Sequence, residues 1–157
     1  MLSHWWASFF RTVAAVCLAV ILHGCGVVST TPPAATPADF PGITATLAKH
    51  GVLVNHFVSG DAGCPDPVLT PTAIAFDAKG LDQPNNVRIY LYIFRNRDAF
   101  ERLRAAVDSC AASFVTDRET FETIEESPFV VASQGPWGAE FEAALRVGLA
   151  AAAGTGG

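Results

Sequence analysis

The sequence predicts a single α+β domain: an antiparallel sheet of four to five strands with helices packed mainly on one face. Three observations carry this. The segment VRIYLYIF, Val87 to Phe94, is β-branched and aromatic throughout, the composition of a strand. Two later segments, from Asp98 to Phe114 and from Ala139 to Ala153, place apolar residues at helical spacing. Strands and helices follow the order α-β-β-β-α-β-β-α, which lacks the strict alternation of a parallel βαβ fold. The chain has 157 residues, half of them hydrophobic and 16% charged, enough for one core and too apolar for a disordered chain.

The elements follow in order. PADFPGITATLAKHG reads as a short helix, with Ile43 and Leu47 four apart and Gly51 as its stop. VLVNHFV, Val52 to Val58, has strand composition, and SGDAGCPDP after it is loop by its Gly, Asp and Pro content. TAIAFDA is a second strand, and AKGLDQPNN is turn material. In VRIYLYIF both faces are apolar in the middle, so this strand belongs at the centre of the sheet with cover on both sides. Asn96 then caps a helix whose stripe is Phe100, Leu103, Val107, Cys110 and Phe114, with Asp98 and Glu101 at its positive end. ETFETIEES is a weak edge strand whose charges discourage further pairing. Ser127-Pro128 turns it into FVVAS, and after GPWG the final helix carries Phe141, Leu145 and Leu149 on one face.

Upstream of Phe40 the chain changes character. An apolar run from Thr12 to Leu22 follows Arg11 and is about a dozen residues long, whereas a spanning helix needs ~20. Residues 1–24 therefore read as a signal peptide, with an uncleaved anchor as the competing reading. Leu22-His23-Gly24-Cys25 resembles the lipobox of bacterial lipoproteins, although His23 departs from the small or β-branched residue usual at that place. The resemblance implies that Cys25 takes a diacylglyceryl group, that cleavage falls before it, and that the new amine is acylated by a fatty acid such as palmitate. GVVSTTPPAATPA continues residues 25–39 as a flexible tether ahead of a domain at 40–153 and a disordered tail at 154–157.

Lipidation at Cys25 puts the mature chain outside the cytoplasm. Cys17 leaves with the signal, and Cys64 and Cys110 remain as an even pair in a disulfide-permissive compartment. A bridge between them is the favoured reading, with two separate buried thiols as the alternative. The net charge of −5 comes without any basic run, which argues against nucleic acid as a partner. No phosphate loop and no nucleophile elbow is present. His50, His56, Asp61, Cys64 and Asp66 are the one group of metal-ligand residue types, but His50 and His56 match no common zinc spacing. No metal and no cofactor is assigned. Glu125-Glu126 and Glu140/Glu142 read as solvated faces, since acid/base work needs two carboxylates in one cleft. Trp137, in a Gly/Pro turn, is a candidate for partner contact against the alternative of a core-capping role.

The stretch from TLAKHGVLV through VRIYLYIFRNRDAFERLRAAV to FVVASQGPWGAEFEAALRVGL resembles a group of small bacterial lipoproteins without an assigned function. The resemblance implies a lipobox, a Thr/Pro-rich tether and one α+β domain, and it brings no catalytic residues; ETFETIEES and the Cys64/Cys110 pair depart from it. The functional expectation is a non-enzymatic binding or interaction module, lipid-anchored to a bacterial membrane, with an envelope protein or polymer as partner. The alternative is a small metal-dependent or other enzyme built around His56, Asp61 and Asp66. A homodimer would follow if one apolar face of VRIYLYIF stayed uncovered.

Overall fold

The computed structural model describes residues 39–154, which belong to one compact unit; the signal segment, Cys25 and the tether lie outside the described residues. The element order is α1 (Phe40–Lys49), β1 (Leu53–Ser59), β2 (Ala73–Gly80), β3 (Gln83–Ile93), α2 (Arg97–Ala111), β4 (Phe121–Glu126), β5 (Phe129–Gln134) and α3 (Ala139–Gly154). This is the α-β-β-β-α-β-β-α order that the sequence predicts. Short 3₁₀ turns at Thr70–Thr72 and Arg118–Thr120 lead into β2 and β4. The final helix runs through Gly154, one residue into the expected tail.

The five strands form one antiparallel sheet in the order β1-β2-β3-β5-β4. Strand β3 is central, as its two apolar faces require. Because strand side chains alternate, Ile89 and Leu91 point to one face while Tyr92 and Phe94 point to the other, and all four are buried. On the first face α1 and α3 cover Phe76, Ile89, Leu91, Ile124 and Val131 with Ile43, Leu47, Phe141 and Leu145. On the second face α2 and the 59–72 loop cover Tyr92, Phe94, Val130 and Ala132 with Val107, Cys110, Ala62 and Leu69. Among the described residues two of the three helices thus share a face, and the third, with the 59–72 loop, covers part of the opposite one. The stated ground for a homodimer, an uncovered face on VRIYLYIF, is absent from Ile89 onward.

One reading needs correction. Pro84, Asn85 and Asn86 are not the turn: β2 runs on to Gly80 and β3 starts at Gln83, leaving Leu81 and Asp82 to reverse the chain. The register shift between Ala78 and Gly80 absorbs the Pro-Asn-Asn run as an irregularity within β3. Of the two readings of Trp137 the core-capping one holds: it is 8% exposed and packs edge-on against Phe141 at 6.3 Å.

The caps explain where the helices begin. Asp39 Oδ1 accepts from Gly42 N at 2.7 Å to start α1, and Asn96 Oδ1 accepts from Ala99 N at 2.9 Å to start α2. The start of α3 is capped from a distance. Asp82 accepts from Glu140 N at 3.0 Å and Phe141 N at 2.9 Å, and Gln83 Oε1 accepts from Gly138 N at 3.1 Å. Among the described residues no helix is long and apolar enough to cross a membrane.

Candidate functional site

The sheet gathers charge where α2 leaves it uncovered. Asp77 on β2 and Arg88 on β3 are directly paired across the strands. Arg88 reaches Asp77 Oδ1 at 3.3 Å and Asp61 Oδ2 at 3.2 Å, and donates to the His56 carbonyl at 3.0 Å. The His56 ring meets Asp77 Oδ2 at 3.1 Å through Nδ1. Partial burial pulls the Arg88 guanidinium down, but its bonds and charge pairing with Asp61 and Asp77 outweigh this and hold it above the ordinary arginine value.

The backbone beneath is unusual. His56 and Phe57 together oppose Phe76, a bulge that shifts the β1–β2 register by one residue. His56 adopts φ +47°, the left-handed region that costs a non-glycine residue about 1 kcal/mol or more. The bonds from Arg88 and Asp77 secure that conformation. With the extra residue Phe57 meets Phe40, ring centroids 5.6 Å apart, and stays exposed.

Of the sequence candidates, His56 and Asp61 therefore belong to one network, joined through Arg88 and Asp77. Asp66 does not join them. Its Oδ1 accepts from Val68 N at 2.7 Å and Leu69 N at 3.1 Å, and its carbonyl accepts from Thr70 N, so it shapes the local turn. His50 closes the C-terminus of α1, donating its backbone N–H to Leu47. Among the described residues no group of three or more His, Cys, Asp or Glu side chains is placed to hold a metal ion.

Cys64 and Cys110 are bonded, with their Cα atoms 5.4 Å apart. The bridge ties the loop after β1 to the last turn of α2. Beside it the Tyr92 hydroxyl donates to the Ala62 carbonyl at 2.8 Å, and burial pushes that hydroxyl well above the ordinary tyrosine range.

A groove of about 450 Å³ lies between α2 and the edge strand β4. Phe121, Val115, Ala111 and Ala112 give it apolar walls, and Arg104, Asp108, Arg118 and Thr123 its polar ones. Arg104 is held by Asp108 at 2.8 Å and by Glu125, which approaches its other terminal nitrogen. The bond from Glu125 is the main reason its guanidinium sits above the ordinary arginine value. Arg104 Nε and Thr123 Oγ1 are buried without a hydrogen-bond partner in the described protein. Gln134 braces the far wall: its Oε1 accepts from Thr116 N at 2.7 Å and its amide nitrogen contacts Thr120, fixing the turn that carries Arg118.

Glu125 is thus one arm of this arginine clamp, and Glu142 pairs with Arg146 at 3.0 Å along α3. Local pattern carries no signal for the groove: its residues are close in sequence, but the gap between α2 and β4 depends on how the two elements pack on the sheet. Alternation along VRIYLYIF was the one available cue for Arg88: it puts that residue on the face of Tyr90 and Tyr92. Comparison of the chain with protein-family models, with curated proteins and with solved structures finds no match in any of the three.

Proposed function

We propose that this protein is an extracytoplasmic lipoprotein, anchored to a bacterial membrane through Cys25, whose domain is a non-enzymatic binding module for an envelope protein or polymer. The Cys64–Cys110 bridge is the observation that carries the reading. A disulfide between a surface loop and a helix belongs to an oxidising compartment, the side of the membrane to which a processed lipobox delivers its chain. The α2–β4 groove supports the binding role, since a groove of this volume with mixed apolar and charged walls is of the size that small ligands or polymer ends occupy. The state of the acidic groups supports it too. Asp61 and Asp77 are committed to Arg88 on a partly exposed surface, and Asp66 is committed to its own turn. An enzyme built on His56, Asp61 and Asp66 would need those three around one reacting atom.

Intact mass with tandem spectra on protein purified from its native membrane tests the reading. The result expected is a chain that begins at an acylated Cys25 and is lighter by two hydrogens than its dithiol form. A chain that keeps residues 1–24 and carries two free thiols would overturn it.

A further inference from the structure

We infer that the β1 edge is the bilayer-facing surface of the domain, resting edge-on among the lipid headgroups of the membrane that holds the acylated Cys25. The inference rests on the lipoprotein reading above. Of the six large hydrophobic residues exposed among the described residues, four gather here: Leu53 at 54%, Phe57 at 66%, Val58 at 49% and Leu81 at 50%. Leu81 lies over Gly51, just ahead of β1. The bulge at His56, bonded to Arg88 and Asp77, sets Phe57 on the face of Phe40 while Val58 stays on the other, so the patch wraps both sides of the edge.

The chain joins the domain at this same spot. Phe40, the first residue of α1, stacks its ring edge on Phe57 with centroids 5.6 Å apart. The stretch from Cys25 to Asp39 spans at most roughly 50 Å when fully extended. The described chain therefore begins beside the patch, within that contour length of the acylated Cys25. Charge points the same way. Lys79 is paired across the strands with Leu53, Lys49 ends α1 nearby, and neither makes an ion pair within the described residues. The opposite edge, β4, carries Glu122 and Glu126 besides Glu125, which is paired with Arg104. An anionic bilayer would draw in the β1 edge and repel the β4 edge.

A second strand is the obvious competitor for a free edge. The bulge argues against it, because it interrupts the ladder after Asn55 and leaves only short runs on either side. The side chains argue against it too. Val58 pairs with Ala75 and lies on the α2 face, whereas Phe57 contacts Phe40 on the α1 face. Apolar groups on both sides of one edge suit immersion, with the free backbone groups left at the depth where water remains.

The test uses the acylated protein in vesicles of phosphatidylethanolamine and phosphatidylglycerol. A polarity-sensitive fluorophore is placed at Phe57→Cys and, in a second variant, at Glu119→Cys beside the opposite edge. Lipids brominated on their acyl chains should quench the first label several-fold more than the second. Equal or absent quenching, in protein that still floats with the vesicles, would sink the docking and leave the lipoprotein reading intact. A blue shift that bromolipids do not quench, and that grows with protein density, would give the edge to a second copy and overturn the inference. Protein that fails to float and shows no acyl mass would remove both readings together. Hydrogen exchange on the unsubstituted protein gives an independent measure. Amides of Leu53–Ser59 should slow on vesicles relative to detergent micelles, while those of Phe121–Glu126 should not, and equal rates would count against the docking.

Discussion

Asp82 shows how one side chain can join two distant parts of this fold. It sits in the β2–β3 turn, yet both its oxygens accept from the first turn of α3. The N–H of Glu140 is the main reason its carboxyl lies below the ordinary value of 3.8. The sign of the pH effect follows. A carboxylate with a lowered folded pKa stabilises the fold fully above its unfolded value, and that contribution is lost as pH falls through the folded one. Asp82→Ala should therefore lower the urea midpoint at neutral pH, with a gap from wild type that closes as the pH drops below about 3.8. Asp82→Asn should fall between them. A gap of constant size across that range would show that the charge contributes nothing. Arg88 makes a comparable link across three segments. Arg88→Leu leaves Asp61 and Asp77 without their cation and frees the His56 carbonyl, and its partial exposure limits the loss to about 1 kcal/mol. The sharper readout is local: amides from Asn55 to Val58 should exchange faster while those of β5 hold. Neither residue is legible in the sequence as anything but turn or strand. The groups that give them meaning lie dozens of positions away, and strand register brings them together.

At the scale of elements most of the fold was legible, and the reason is periodicity. Ile43 and Leu47, the stripe through Val107 and Cys110, and Phe141 with Leu145 and Leu149 each recur at the spacing that buries one helical face; all the named residues are buried, and Phe100, Leu103 and Phe114 of the middle stripe are partly so. The acidic FETIEE was readable as an edge strand because carboxylates on a free edge discourage another strand from pairing. The β2–β3 hairpin was less legible. Gly80, Leu81, Asp82, Pro84 and the two asparagines all favour turns, and local preference cannot choose among them. Close approach decides it: Gly80 lies against Gly51, and a Cβ added there would sit 2.1 Å from the Gly51 carbonyl oxygen, with φ at +136°. Gly80→Ala should therefore cost about 2–3 kcal/mol or more in chemical denaturation, through backbone strain and displacement of the β1–β2 register. Lys79→Ala next to it, on an exposed side chain, should stay within about 0.5 kcal/mol. Equal effects at the two positions would show that the hairpin relaxes freely.

At the scale of the whole molecule the two faces of the sheet are closed by different means. Helices α1 and α3 pack on each other and on a broad apolar surface, and Asp82 and Gln83 fasten the start of α3. The other face has a single helix, and the Cys64–Cys110 bond fastens the last turn of α2 to the loop from which Ala62 and Leu69 enter the core. The bond closes a span of 46 residues, for which the chain-entropy model gives about 4 kcal/mol. Replacing both cysteines with serine, or reducing the bond under native conditions, should lower stability by about 2–4 kcal/mol. The loss should also be uneven. Helix α2 and the 59–72 loop, without their staple, should open before the sheet does, so hydrogen exchange should accelerate from Arg97 to Ala111 well ahead of Ala139 to Gly154. The α2–β4 groove would lose one wall in that state, because Arg104, Asp108 and Ala111 all stand on the loosened helix. Any ligand the groove takes should then bind the oxidised protein more tightly than the reduced one. Uniform acceleration across both helices would mean instead that the domain unfolds as one unit and that the bridge stabilises the whole chain rather than one face.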